Sequence, residues 1–335
     1  SKDNTITYCH YPTAKYWIET EDKDYLERYL KTTRAPFSRL TSSSLISGSS
    51  KPSSPSASAA ASATTTSSST NMIQIKENNN NNNANVEFDR KGYLTWLKDT
   101  YDKMMRNTTV ITNSRYSCKA ISDGFGIEEP FVLSPPVDVD MFRKDALLPL
   151  DSAYENSKRR RTILVLCRID PYKEIENAID LARLLSAKNI GEGMIIAGNL
   201  DPYYADYYDS LNKMIKRYNL EDYIKIKTNA GLHDLISFMK KSQIYFHPRT
   251  KEHFGMSIVE AMSAGLVPVV PDIGGQTEFV PTKYQFHSLE QATEIISSAF
   301  DVDYSVRKNI SNSVQRFSVS NYKSALQQIV AGIIE

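Results

Sequence analysis

Cysteine is scarce. Cys9, Cys118 and Cys167 are the three in 335 residues, far apart and without a CxxC pair. An odd number at that spacing argues against a disulfide framework and a structural zinc site, and a reducing compartment fits best. Net charge is lacking too: 40 Lys and Arg against 39 Asp and Glu leave +1, so no general nucleic-acid-binding surface is implied. The longest apolar run, Ile163 to Cys167, falls far short of a membrane span, and no signal peptide opens the chain. The chain starts at Ser1 rather than Met and reads as a fragment.

Apolar surface is nearly missing from residues 41–85. Positions 41–70 hold 14 Ser and 5 Thr, and Asn78 to Asn83 is an unbroken Asn run. Such a stretch cannot offset its ordering entropy, so the sequence predicts disorder there and leaves about 290 residues to fold.

From Thr162 onward the pattern is regular. Strands are predicted at Thr162–Arg168, Met194–Ala197, Tyr223–Lys227, Gln243–His247 and Val267–Val270. Between them lie helical segments at about Tyr172–Ala187, Tyr203–Tyr218, Leu232–Lys241 and Gly255–Ala264, and more helices follow. Strands alternating with helices of about ten residues or more specify βαβ units and a parallel sheet covered on both faces. Upstream the signal is thinner: strands at Thr5–Cys9, Thr109–Thr112 and Phe131–Leu133, and a helix at Tyr93–Met105. The expected organisation is a partial N-terminal domain over 1–140, a linker over 141–161 and a complete Rossmann-like domain over 162–315. A terminal helix over 316–335 is expected to pack back on the N-terminal part.

The stretch from Lys251 to Met262 carries the most chemistry. Glu252 and Glu260 stand eight positions apart, the first in a strand-to-helix loop and the second inside the helix. Gly255 lets the backbone pass close to a ligand, and free amides at the helix start form an anion site. In an open α/β sheet, ligands bind in loops beyond the carboxyl ends of the strands. A phosphate at the helix end with two carboxylates receiving hydroxyls is one reading; a first-turn Glu and a surface Glu is the other. Arg168, closing the first strand of the domain, and Lys173, opening the next helix after Pro171, would project from the same edge and form a diphosphate pocket. Solvated loop-end cations are the alternative.

These residues also carry a resemblance. Cys167-Arg168-Ile169-Asp170-Pro171-Tyr172-Lys173, the Glu252…Glu260 pair within Glu-His-Phe-Gly, and Ala264-Gly265-Leu266-Val267-Pro268-Val269-Val270 resemble retaining GT-B glycosyltransferases of family 4. Asp272-Ile273-Gly274-Gly275 and Arg316-Phe317-Ser318 fit as well. His10-Tyr11-Pro12-Thr13, Thr112-Asn113-Ser114 and Pro135-Pro136-Val137-Asp138 are similar to members that use GDP-mannose and polyprenyl-linked saccharides. The resemblance implies an α/β, GT-B fold with a truncated N-terminal Rossmann-like domain. It further implies that Arg168 and Lys173 bind the donor diphosphate and Glu260 the ribose. Glu252 and the backbone of Phe254, Gly255, Met256 and Ser257 would hold the sugar and distal phosphate, with His10 facing the sugar across the cleft. The implied reaction replaces the sugar with retention and needs no metal or other cofactor. A nucleotide-sugar donor and a saccharide or polyprenyl-linked acceptor are the implied partners, in the cytoplasm at a membrane surface. A nucleotide-sugar-binding remnant without activity and a synthase using UDP- or ADP-glucose are the alternatives.

The remaining candidates read as structural. Asp138-Val139-Asp140 and Asp301-Val302-Asp303 match a short Asp-x-Asp pattern that arises often by chance, and His233, His247, His253 and His287 lack metal-ligand spacing. Lys158-Arg159-Arg160-Arg161 is a solvated linker or a contact for an anionic membrane surface.

Overall fold

The structure, a computed structural model, describes residues 5–10, 90–128, 130–147 and 160–334. The Ser/Asn-rich segment 41–85, Tyr11-Pro12-Thr13 and Lys158-Arg159 lie outside the described residues. The chain divides into two units, Ser1–Thr20 with Trp96–Glu335, and Glu21–Thr95. Every side chain discussed below belongs to the first.

Two parallel sheets form that unit. The smaller has the order β1-β2-β3, from Ile6–Tyr8, Thr109–Thr112 and Phe131–Val132. Helix α1 (Arg90–Asn107) precedes β2, and α2 (Arg115–Phe125) follows it. Cys9, Met105, Val110, Ile121 and Phe125 make its core. A short helix α3 (Val139–Phe142) comes next.

The larger sheet has the order β6-β5-β4-β7-β8-β9, all parallel. Its strands are β4 (Thr162–Leu166), β5 (Gly193–Gly198), β6 (Ile224–Thr228), β7 (Ile244–Phe246), β8 (Val267–Pro271) and β9 (Gln285–Phe286). The connecting helices are α4 (Ile175–Ala187), α5 (Ala205–Arg217), α6 (Leu232–Lys241) and α7 (Met256–Ser263), and α8 (Leu289–Ala299), α9 (Tyr304–Ser313) and α10 (Val319–Ile334) complete the chain. β4, β7 and β8 are buried at every position, as strands covered on both faces must be. β6 is an edge strand and alternates, with Lys225 and Lys227 turned outward.

Two features depart from expectation. The segment after β4 does not enter its helix at Tyr172. Pro171–Lys173 is a 3₁₀ turn, and Glu174 adopts φ 51°, ψ 44°, which resets the backbone before α4 starts at Ile175. Lys173 therefore closes a turn instead of opening the helix. The start of the expected linker is also no open connector: Phe142 and Ala146, like Val137 and Val139 just before it, are buried in the core of the larger sheet. A backbone bridge from Val137 to Ser318 ties this segment to the start of α10, and Tyr322 of α10 lies close enough to Tyr8 of β1 to raise its hydroxyl pKa further, beyond the larger effect of burial.

Candidate active site

The chain runs outward from β4 through β5 to β6, then returns to place β7 on the other side of β4. Loops leaving β4 and β7 thus diverge in opposite directions, opening a crevice at the switch point of the sheet. Arg168 and Lys173 come from the loop after β4; Arg249, Glu252 and the start of α7 come from the loop after β7.

Glu252 is the hub. It is 8% exposed, and its Oε2 lies 2.9 Å from Lys173 Nζ, 3.4 Å from His247 Nε2 and 3.7 Å from the Arg249 guanidinium. Its Oε1 accepts from the backbone N–H of His253 at 3.0 Å. Burial pushes the carboxyl up, but the His247 ring at 3.4 Å and the charges of Lys173 and Arg249 outweigh it and hold Glu252 well below the usual carboxylate range. Glu260 has the opposite environment. Burial alone raises its carboxyl, and no cation stands beside it among the described residues. Both carboxylates act on the Tyr245 hydroxyl, so they share one neighbourhood.

Arg168 is the loosest member, with a side chain 70% exposed and 3.3 Å from the buried Asp170. Burial raises the Asp170 carboxyl, and Arg168 and Lys173 partly counter that. Glu174 clamps the two loops together: its carboxylate accepts from the Thr250 N–H at 3.1 Å, the Thr250 hydroxyl at 3.1 Å and the Asn177 amide at 3.2 Å.

The loop into α7 is fixed from both sides. Phe254 inserts into a triad with Phe279 and Phe317, ring centroids 5.2–5.3 Å apart. Gly255 has φ 94°, a region a Cβ would disfavour, and turns the chain so that the amides of α7 face the crevice. Met256 is exposed, and Ser257 Oγ lies 2.8 Å from the Tyr245 hydroxyl. From the smaller sheet, Ser114 caps α2 and also donates to the His253 carbonyl at 2.6 Å. Glu278 accepts from the N–H groups of Arg115 and Tyr116 at 3.1 and 2.9 Å, holding the start of α2 from the other side. His10 stacks edge-on against Tyr8, is exposed, and adds to the charges acting on His253. Burial and Arg249 push His253 down to about 4. Loops at the carboxyl ends of both sheets therefore face each other across Glu252 and His253.

The structure brings Lys173 and Glu252 into contact and sets Glu260 and Ser257 beside the same Tyr245 hydroxyl; Arg168 is largely exposed against Asp170, and His10 lies within electrostatic reach of His253. The sequence does not single out Arg249, and His247 reads there only as a packed or loop histidine; it is packed, 1% exposed. The signal for His247 was present: Tyr245 and His247 are two polar rings on one face of a strand otherwise apolar, and buried polar groups need partners. Asp138 and Asp303 are helix N-caps, accepting from Met141 and Val306. Arg161 pairs with Asp301 at 2.7 Å and lies over Phe300, so it is engaged within the fold. No helix among the described residues is long and apolar enough to cross a membrane.

Two parallel sheets whose carboxyl-end loops face each other define a class of fold, and solved structures share it: this is the GT-B fold of glycosyltransferases. Anabaena Alr3699/HepE in complex with UDP and glucose superposes with a TM-score of 0.59 at 22% identity, over 71% of this chain and 67% of that one. A glycosyltransferase from Rickettsia africae gives a TM-score of 0.59 at 18% identity, over 72% and 67%. Residues 150–295 match the family described as glycosyl transferases group 1, and the chain carries a domain of that family. Similar curated proteins include a GDP-Man:Man(3)GlcNAc(2)-PP-Dol alpha-1,2-mannosyltransferase of Dictyostelium discoideum, 24% identical over 61% of this chain and 42% of that protein. A GDP-mannose:cellobiosyl-diphosphopolyprenol alpha-mannosyltransferase of Komagataeibacter xylinus is 30% identical over 41% and 37%. The chain spans about two-fifths of the length of these relatives.

Proposed function

We propose that this chain transfers a mannosyl group, with retention of configuration, from GDP-mannose to a saccharide on a polyprenyl diphosphate carrier at a membrane surface. One observation carries the reading: Lys173 and Glu252, from loops far apart in sequence, meet at 2.9 Å in the crevice beside the start of α7. Lys173, Arg168 and the α7 amides would receive the donor diphosphate, Glu260 the ribose hydroxyls, and Glu252 with the Phe254–Ser257 backbone the sugar. His10 would face that sugar from the other sheet. The bond from the anomeric carbon to phosphate breaks as the acceptor oxygen bonds to the same face of that carbon. The acceptor proton passes to the departing phosphate, and no side chain forms a covalent intermediate. Each cation–phosphate contact near 4 Å has a Coulomb energy of about 4 kcal/mol at an effective dielectric of 20. A third of that, realised only as the diphosphate departs, gives roughly a tenfold rate gain. The donor is supported by the relatives, whose names specify GDP-mannose.

The test is titration with GDP-mannose, UDP-glucose and ADP-glucose, followed by transfer to a lipid-linked saccharide. GDP-mannose is expected to bind and react, and Glu260→Ala to weaken its binding by about tenfold or more. Preference for UDP- or ADP-glucose would make the chain a synthase of another kind, and binding without transfer would make it a sugar-nucleotide receptor.

A further inference from the structure

A buried polar chain behind Glu252 has no role in the scheme above. Tyr245 and His247 are both 1% exposed or less at the carboxyl end of β7. Ser257 Oγ lies 2.8 Å from the Tyr245 hydroxyl, which lies 3.2 Å from His247 Nδ1 and 3.3 Å from the Leu166 carbonyl oxygen; His247 Nε2, which makes no well-aligned hydrogen bond, lies 3.4 Å from Glu252 Oε2, a charged neighbour. Burial lowers the imidazole pKa, so near neutral pH the ring is uncharged and carries one N–H. Opposite a carboxylate that stays ionised, that proton belongs on Nε2. Nδ1 is then an acceptor that competes with the Leu166 carbonyl for the Tyr245 proton, and the Tyr245 oxygen can accept from Ser257. The polar row runs from the first turn of α7 to Glu252.

We propose that His247 is a positioning residue for Glu252, and that Tyr245 selects the tautomer with which it acts. Without the Nε2–H, the Glu252 oxygen is free to settle onto Lys173 or Arg249 alone, instead of being held between them where a sugar hydroxyl can reach it. The same row fixes Ser257 at the helix tip, so the sugar-facing carboxylate and the anion-facing amides are set by one continuous structure. The kinetic consequence rests on the proposed transferase reading; the tautomer does not.

The experiment uses the full chain with GDP-mannose as donor, comparing His247→Gln, His247→Leu and Tyr245→Phe with the parent. Gln keeps an N–H near the Nε2 position; Leu fills the space without a donor. Losing the polar contact to the charged Glu252 predicts that His247→Leu lowers kcat about 10-fold while KM for GDP-mannose moves less than about threefold. His247→Gln is expected to stay within about threefold of the parent kcat. Equal losses in the two variants, or parent rates in both, overturn the proposal. If His247→Leu does not fold, Tyr245→Phe, which removes one oxygen atom, is expected to lower kcat severalfold, and parent kcat there overturns it. Nitrogen–proton correlation spectra of the histidine rings give a readout independent of turnover. The proton is expected on Nε2 of His247 in the parent, and in Tyr245→Phe a share moves to Nδ1. A parent spectrum with the proton on Nδ1 refutes the inference even if transfer proceeds. A chain with the Nε2 tautomer and no transfer would sink the functional reading instead.

Discussion

Glu252→Gln should make the protein less stable, a poorer catalyst and a tighter binder of GDP. The substitution keeps the volume and removes one charge. At 2.9 and 3.7 Å, Lys173 and Arg249 each interact with that charge by about 6 and about 4 kcal/mol at an effective dielectric of 20, before desolvation is subtracted. Deleting one partner of such a buried group typically costs about 3 kcal/mol or more, because the remaining cations are left uncompensated. For a unit of this size that corresponds to a fall in Tm of about 6–12 °C. A diphosphate entering the parent must approach the Glu252 carboxylate; at about 5 Å that repulsion is worth about 3 kcal/mol per unit charge. Relieving about half of it, while two cations stand unpaired, makes GDP bind about tenfold tighter in the variant. Calorimetric titration with GDP, paired with thermal melts and turnover, reads all three changes. If Glu252→Gln melts with the parent and binds GDP no more tightly, Glu252 is not the anion that Lys173 holds beside the diphosphate, and the site assignment fails.

Other expectations follow from the same loops. A Cβ on Gly275 would overlap the His253 carbonyl oxygen and stand 3.0 Å from Ser114 Oγ, so Gly275→Ala should cost more than about 3 kcal/mol in a thermal or urea melt. A parent-like melt would mean that the loop carrying His253 gives way easily. Ser114→Ala removes the α2 N-cap and the 2.6 Å bond to His253, and is expected to cost about 1–2 kcal/mol by urea unfolding. His253 has a folded pKa of about 4, below its ordinary 6.5, so between those values the unfolded chain binds a proton the folded one does not. Stability therefore falls with pH from about 6.5 towards about 4. Glu260 and Asp170, whose pKa values are raised, push the other way. They cancel when the parent is compared with His253→Asn, which should lose about 1–2 kcal/mol less between pH 7 and pH 5. Identical pH profiles would show that His253 is not held neutral by burial.

The sequence was most readable where burial is total. β4, β7 and β8 are covered on both faces, so their apolar runs are continuous and local. β9 escaped notice because two residues, Gln285 and Phe286, carry no period. The helix start after β4 was misplaced because the left-handed conformation of Glu174 is held by Thr250 and Asn177, and Thr250 is distant in sequence. Arg168, Lys173, Glu252 and Glu260 were legible as types at a spacing. Their meeting was not, since it depends on β4 and β7 being neighbours, a fact of sheet order. Arg249 was hidden for another reason: it gains meaning from the carboxylate three residues on, in a loop that no local period announces.

The two glutamates show why spacing alone underdetermines chemistry. They are the same residue, eight positions apart, on one loop and its helix. Lys173, Arg249, the His247 ring and the His253 N–H surround Glu252 and keep it ionised, so it can orient and attract but has little tendency to take a proton. Glu260 meets no cation among the described residues, and burial favours its neutral form. A ligand presenting two hydroxyls would replace the water lost on burial and lower that cost, whereas an anion would add repulsion. Within one crevice the protein therefore offers a cationic end that includes an anchored anion and a carboxylate end that calls for hydroxyls. A diol joined to a diphosphate matches both ends in order. Separating them is a direct check: a nucleoside without phosphates should lose affinity in Glu260→Ala and be indifferent to Lys173→Ala, while inorganic diphosphate should show the reverse. Equal sensitivity of both probes to both substitutions would mean that the two ends do not act as distinct subsites.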